Sequence, residues 1–306
     1  MAEKPLTPSA SPSHRIICWG MPRSLSTVFE KCLSFVDGIQ IINEPFQCAS
    51  TTGPEGALAK MGAAQNQNTG WEDMSKAMEK VEEEQGWDDS LCTYKFAKDM
   101  LERDFPDKKL VFCKDLITGI IGHFDMLPKG YLHTFIIRNP VKVMISTRRG
   151  LTAILPPGTD TDAFDMSESP FLKILPGFGF SEELALIEHL KSTGESTSDP
   201  IIIDADDLQN HPESIVRQYC EKTGIPYSDS LLQWEGGDGI VKRNWMIAKG
   251  FLQGNKIMHY FDAAFASTCF QPAKDPLPEL LTPDVVKLAA TLEPDYRKLY
   301  EMRIKP

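Results

Sequence analysis

The sequence lacks a long hydrophobic run, since no apolar stretch in its 306 residues approaches the roughly 18 residues that a membrane-spanning helix needs. It also lacks an excess of positive charge: 32 Lys and Arg against 43 Asp and Glu give a formal net charge of −11. This balance disfavours nucleic acid or an anionic membrane surface as the main partner. An anionic small ligand stays compatible with it if the basic contacts are gathered locally.

Paired cysteine motifs are also missing. The seven cysteines form no Cys-x-x-Cys pair, and several lie in apolar runs, where a free cysteine behaves as a small hydrophobic side chain. We therefore expect reduced core thiols, no metal site and a cytoplasmic location. Residues 1–14 carry three prolines and four Ser or Thr but no apolar core, so we interpret them as a disordered tail and not as a secretory signal.

Short apolar runs alternate with helical patterns, which predicts an α/β fold with a mostly parallel central sheet flanked by helices. The expected strands are 15–20, 39–42, 110–113, 133–137 and 200–204. No composition shift marks a linker, so residues 15–306 are interpreted as one domain. Residues 152–180 show no clear period, which is typical of a lid or binding loop. Its Phe171, Phe178 and Phe180 either line an acceptor pocket or anchor the loop to the core.

A candidate phosphate site joins the first predicted strand to the first helix, in the segment Gly20-Met21-Pro22-Arg23-Ser24-Leu25-Ser26-Thr27. Backbone N–H groups and the positive helix end favour an anion at such a junction, and this one adds an arginine and three hydroxyl groups. The Gly-Lys-Ser/Thr of a Walker A loop and the Gly-x-Gly-x-x-Gly of a dinucleotide site are both absent.

A second segment of this kind, Arg138-Asn139-Pro140 continuing to Ser146, follows the fourth predicted strand and runs into a helix. Together the two segments resemble the motifs of the PAPS-dependent sulfotransferase family (PAPS is 3′-phosphoadenosine 5′-phosphosulfate). There a PxSGTT or PRSGTS loop binds the 5′-phosphosulfate, and an Arg-x-Pro-x-x-x-x-x-Ser segment binds the 3′-phosphate. The arginines of the two motifs are roughly 115 positions apart here, in the family's order. Residues 200–226 also resemble a strand–helix segment of many sulfotransferases.

The resemblance implies the P-loop-like sulfotransferase fold and transfer of a sulfuryl group from PAPS to a hydroxyl or amine of a small molecule, without a metal. The residues that match the nucleotide contacts are Arg23, Ser24, Leu25, Ser26 and Thr27 in the first motif and Arg138 and Ser146 in the second. Leu25 stands where the family has Gly, which matters if that position needs a positive φ. Lys249-Gly250 is the nearest match to the family's C-terminal Lys/Arg-Gly-x-x-Gly, and Lys242-Arg243 is a competing basic pair.

Sulfuryl transfer requires an aligned nucleophile and neutralised charge on the leaving group. Arg23 is expected to stabilise the departing 5′-phosphate, and Lys114 to share this task. Glu44 is the first candidate for the base, because tyrosylprotein and some bacterial sulfotransferases have a proposed Glu at the similar place. Asp115 is the second candidate, where cytosolic members have Lys-Thr-His. His123, eight residues further along, is the third.

Two alternatives stay open at this stage. A P-loop kinase would need the lysine that the first motif lacks. A non-catalytic nucleotide-binding protein of the same fold is compatible with Leu25 and with the imperfect C-terminal motif. The sequence predicts neither the acceptor nor the oligomeric state.

Overall fold

The computed structural model describes residues 14–57, 83, 85–153, 155, 158–169, 172, 179–196 and 198–306. Within them, the strands are β1 (His14–Gly20), β2 (Ile39–Asn43), β3 (Leu110–Leu116), β4 (Leu132–Ile137), β5 (Ile201–Asp204) and β6 (Trp245–Met246). They form one six-stranded sheet in the order β5-β4-β1-β3-β2-β6, and every neighbouring pair is parallel. The predicted α/β fold with a parallel central sheet is confirmed. The sequence analysis missed β6, whose two residues are too short to show a pattern.

Helices cover both faces of the sheet. In the described ranges they are α1 (Ser26–Leu33), α2 (Pro45–Ser50), α3 (Tyr94–Glu102), α4 (Pro140–Ala153), α5 (Ser181–Ser192), α6 (Ala205–Asn210), α7 (Pro212–Thr223), α8 (Gly239–Asn244), α9 (Lys249–Met258), α10 (Asp262–Ala266) and α11 (Pro283–Met302). Short 3₁₀ turns span Asp89–Leu91, Ile117–Gly119, Phe124–Met126, Met166–Glu168, Asp229–Leu231 and Pro278–Leu280. Because both faces are covered, the strands are mostly apolar and show no regular alternation of apolar and polar residues.

Successive residues of β1 point to opposite faces and enter two separate hydrophobic clusters. Ile17 and Trp19 pack with residues of α3, α4, α5 and α11. Ile16 and Cys18 pack with residues of α1 and α7. The central strand therefore ties the two layers of the core together, and its carboxyl end is rigidly placed.

Several strand boundaries differ from the sequence predictions by one to three residues. His14 already belongs to β1, because it pairs with Leu110, so the expected tail ends before it; residues 1–13 lie outside the described residues. The third strand continues past Cys113 to Leu116, because β1 pairs with β3 as far as Gly20 and Leu116. Lys114 and Asp115 therefore lie inside a buried strand.

The expected loop at 152–180 is described only in part. Phe180 is fully buried in the core, so of the two predicted alternatives it anchors the loop to the core. Phe171 and Phe178 lie outside the described residues. None of the seven cysteines forms a disulfide. Among the described residues, no helix is long and apolar enough to cross a membrane, and no group of three or more His, Cys, Asp or Glu side chains is placed to hold a metal ion.

Candidate functional site

The sheet topology brings the two predicted motifs side by side. β1 is flanked by β3 on one side and β4 on the other, and Gly20 at the end of β1 pairs with Ile136 near the end of β4. Parallel strands end at the same edge, and a ligand crevice commonly forms there, where the chain order reverses around a central strand. The segments that follow β1 and β4 therefore start next to each other, and these are the segments that carry Arg23 and Arg138.

The loop after β1 is held in a tight turn by its own atoms. A Cβ added to Gly20 would lie 2.8 Å from Cγ2 of Ile136 and 2.9 Å from Oγ of Ser24, so only glycine fits there without a shift. Ser24 is fully buried, and its hydroxyl donates to the carbonyl oxygen of Met21 at 2.8 Å. Ser24 therefore stabilises the turn of the loop, and the proton of its hydroxyl group is engaged by Met21.

Arg23 and Leu25 both adopt the left-handed backbone conformation, each with φ of 70°. This conformation costs a residue with a Cβ about 1–2 kcal/mol. Leu25 thus has the positive φ for which glycine would be favoured, and its side chain packs against the core cluster that contains α1. The departure at Leu25 therefore does not prevent this loop conformation. Ser26 and Thr27 follow as the first residues of α1.

Direct hydrogen bonds join the two motifs. Nε of Arg23 donates to Oγ of Ser146 at 2.9 Å, and NH1 of Arg138 donates to the carbonyl oxygen of Arg23 at 3.0 Å. Nε of Arg138 is buried and has no hydrogen-bond partner among the described residues. The structure therefore brings Arg23, Arg138 and Ser146 together at one place.

Three guanidinium groups gather here in a protein with a net charge of −11. The pKa of Arg23 is lowered by partial burial and then by the neighbouring charges of Arg138 and Arg149. In the part of the chain that the structure describes, none of the three forms an ion pair. A local excess of guanidinium groups of one charge is chemically suited to a multiply charged anion.

Glu44 and Lys114 form a buried ion pair at the same edge of the sheet, where β2 and β3 end beside β1. Glu44 is the residue before α2 and has a left-handed backbone with φ of 50°. Nζ of Lys114 donates to Oε1 of Glu44, and both side chains are less than one-tenth exposed. Burial alone would lower the pKa of Lys114, but the carboxylate of Glu44, through its charge and its hydrogen bond, contributes most to outweighing burial, so that pKa is raised. The ammonium group is therefore held in its charged form.

Asp115 is used as a helix cap. Its carboxylate accepts hydrogen bonds from the backbone N–H groups of Phe46 at 2.7 Å, Gln47 at 3.0 Å and Leu116 at 2.8 Å. Burial raises the pKa of Asp115 to about 8, although the backbone donors, Phe46 first, oppose the shift. Three backbone donors occupy most of its accepting capacity, so these contacts favour a structural role over that of a base.

The described contacts do not bring the remaining candidates to Arg23. The ring of His123 stacks on Tyr94 with 3.8 Å between centroids. Gly250, next to Lys249 at the start of α9, donates its N–H to Oδ1 of Asp89 at 2.8 Å. A carboxylate thus occupies the backbone N–H of Gly250 in the segment that was matched to the family's C-terminal motif.

The competing basic pair has its own partners. Lys242 pairs with Asp238 at 2.9 Å, and Arg243 pairs with Glu235. All four side chains are about half exposed or more, so this pair is a solvated surface patch.

Sequence reasoning missed Tyr260, which follows α9. Its carbonyl oxygen accepts a hydrogen bond from NH1 of Arg23 at 3.4 Å, and the carboxylate of Glu44 is among the charges that, after burial, raise the pKa of its phenol. Contacts across 237 positions of the chain leave no local pattern. A basic residue at position 149, one turn of α4 beyond Ser146, was visible in the sequence, and its place near Arg23 followed only from the fold.

One comparison with known proteins agrees with the resemblance to sulfotransferases. A family model described as "Sulfotransferase domain" matches residues 193–299, and this match confirms the resemblance to sulfotransferases for that part of the chain. Two curated relatives come from Arabidopsis thaliana. Branched-chain-amino-acid aminotransferase-like protein 2 is 26% identical over 237 residues, which are 75% of this chain and 34% of the relative. Branched-chain-amino-acid aminotransferase-like protein 1 is 28% identical over 143 residues, 45% of this chain and 22% of the relative. The chain spans about a third or less of the length of these relatives.

Two of the solved structures that are similar to this chain are described as sulfotransferases. Mouse sulfotransferase SULT7A1 complexed with PAP has a TM-score of 0.47 at 13% identity, with 95% of this chain and 90% of that chain covered. The sulfotransferase domain of the Synechococcus PCC 7002 olefin synthase has a TM-score of 0.42 at 14% identity, with 95% and 98% covered.

Proposed function

We propose that this protein is a PAPS-dependent sulfotransferase that transfers a sulfuryl group to a hydroxyl or amine of a small-molecule acceptor. The observation that carries the proposal is the contact between the two motifs through Arg23, Ser146 and Arg138. One anion-binding loop is common in α/β proteins, but two that share a cluster of unpaired guanidinium groups suit a ligand with phosphates at both ends. PAPS is such a ligand. The unpaired cysteines favour a reducing, cytoplasmic setting.

The proposed chemistry is an in-line displacement. The acceptor oxygen or nitrogen forms a bond to sulfur while the bond from sulfur to the bridging oxygen breaks, and 3′-phosphoadenosine 5′-phosphate (PAP) leaves. Arg23 stabilises the negative charge that develops on the leaving phosphate. Arg138 and Ser146 hold the 3′-phosphate, so that the donor is oriented before reaction.

Glu44 is the proposed base that takes the proton of the acceptor. Its one described side-chain contact is the ammonium group of Lys114, whereas Asp115 is engaged by three backbone donors. When Lys114 turns towards the bridging oxygen of the donor, it leaves the carboxylate of Glu44 available for the proton. Lys114 is thus expected to assist the leaving group and to regulate the basicity of Glu44.

Titration calorimetry with PAP, followed by a transfer assay with radiolabelled PAPS and a metabolite extract, tests the proposal. We expect PAP to bind and a small molecule to gain sulfate, with Arg243→Ala as the control variant that changes a basic but distant surface residue. Absence of PAP binding would refute the proposal. Binding without transfer to any acceptor would support a non-catalytic nucleotide-binding protein, and metal-dependent ATP turnover would support a kinase.

A further inference from the structure

A second buried acidic group lies next to the proposed base, and the mechanism above does not use it. Glu30 on α1 is fully buried, as is Asn43 at the end of β2. Nδ2 of Asn43 donates to Oε2 of Glu30 at 2.8 Å. This contact joins the helix that follows the phosphate loop to the residue immediately before Glu44.

The other two polar atoms of this pair are unsatisfied if Glu30 is ionised. Oε1 of Glu30 and Oδ1 of Asn43 are both buried without a hydrogen-bond partner in the described part of the chain. An ionised carboxylate and an amide oxygen are both acceptors, so neither can satisfy the other. A proton on Oε1 would make it a donor to the amide oxygen, and one hydrogen bond would then satisfy both atoms.

The charges around Glu30 favour the same state. The titratable groups near it are Lys114, Asp115 and Cys113 on β3, Cys18 on β1 and Glu44 before α2. On α10, which packs against α1, the carboxylate of Asp262 is engaged by His259 and Asn255. Only one of these groups is a cation, and it donates to Glu44. Burial raises the pKa of Glu30 well above its usual value, more than Lys114 and Asn43 lower it.

We infer that Glu30 carries a proton in the folded protein and forms a reciprocal acid–amide pair with Asn43, and that this neutral pair positions Lys114. While Glu30 is neutral, it does not compete with Glu44 for the ammonium group of Lys114. The carboxylate of an ionised Glu30 would attract the ammonium group of Lys114 and draw it away from Glu44. The functional half of the inference rests on the proposed sulfotransferase activity, whereas the protonation of Glu30 does not.

Infrared difference spectroscopy of the full chain tests the protonation directly. Glu30→Gln keeps the shape of the neutral acid, because its amide can both donate to and accept from Asn43. At neutral pH, the spectrum of the wild-type protein minus that of this variant should contain the carbonyl stretch of a protonated carboxyl group, shifted in D₂O. Glu183→Gln is the matched control, since Glu183 is also fully buried, on α5, and its loss should remove a different band. Loss of carboxylate bands in Glu30→Gln would overturn the inference.

The pH profile of kcat tests the positioning role. In the wild-type enzyme we expect kcat to fall at alkaline pH as Glu30 ionises, with the KM for PAPS unchanged. Glu30→Gln should keep the neutral-pH kcat and lose this alkaline fall, which a purely structural role would not produce. An alkaline fall that persists in Glu30→Gln would refute the positioning role. If no acceptor is found and no activity can be measured, the proposed function fails, and the infrared result still decides the state of Glu30.

Discussion

Replacing Arg138 with alanine should separate the two ends of the proposed donor. The guanidinium group is proposed to bind the 3′-phosphate, and its NH1 also donates to the carbonyl oxygen of Arg23 at 3.0 Å. Hydrogen bonds to charged groups contribute roughly 1.5–3 kcal/mol each, so two of them to the 3′-phosphate are worth about 3 kcal/mol or more. At about 1.4 kcal/mol per tenfold change, the affinity for PAP should fall by roughly 100-fold or more. The bond to Arg23 supports the 5′ end and is worth about 1 kcal/mol, a loss of roughly fivefold for AMP.

Calorimetric titration of PAP and AMP into the wild-type protein, Arg138→Ala and Arg149→Ala measures this difference. Arg149→Ala is the control, because that exposed side chain adds charge near Arg23 without a described hydrogen bond to it. Its loss should weaken both nucleotides only slightly, and added salt should reduce the effect. Thermal unfolding of each variant verifies that the fold is intact. Equal losses of PAP and AMP affinity in Arg138→Ala would show that Arg138 does not bind the 3′-phosphate.

Four further changes have definite expected outcomes. Glu44→Gln should lower turnover by about 10²- to 10⁴-fold with unchanged PAP affinity in calorimetry; unchanged turnover would remove Glu44 from the role of base. Lys114→Met leaves the carboxylate of Glu44 buried without its cation, so urea denaturation should show a loss of about 3–5 kcal/mol in the free energy of unfolding, and the double variant with Glu44→Gln should recover much of it. Gly20→Ala places a Cβ 2.8 Å from Cγ2 of Ile136, so stability should fall by about 1–3 kcal/mol; wild-type stability would contradict the tight loop geometry. Burial lowers the pKa of His133 to about 4, below the unfolded value of about 6.5. The unfolded chain therefore binds the extra proton first, and stability should be lost as the pH falls from about 6.5 to 4. His133→Gln should flatten this slope in urea denaturation across that range, and an unchanged slope would assign it to other groups.

Sequence could predict the parts of the site that are formed by short contiguous segments. Strand–loop–helix junctions with Arg23 and Arg138 are visible because their loop chemistry is contained in a few neighbouring residues. The sequence also predicted the parallel sheet, and parallel strands place both junctions at one edge. The predicted strand end before Lys114 was wrong, because charged residues in a strand pattern normally mark the end of a strand. Here the charge of Lys114 is balanced inside the sheet by the carboxylate of Glu44. The contact of Tyr260 depends on tertiary packing alone and has no local pattern.

Backbone strain at this edge supports a binding site independently of the motifs. Four residues other than glycine have positive φ in the described part of the chain, namely Arg23, Leu25, Glu44 and His259. Such conformations persist only where the surroundings enforce them, and they cluster at functional sites. Three of the four were selected from sequence as site residues, and the fourth precedes Tyr260, which contacts Arg23. Glycine would have relieved the strain at Leu25 at the cost of a flexible loop. A leucine that packs into the core keeps the left-handed conformation and fixes the loop, so that the donors around Arg23 are already arranged before an anion arrives.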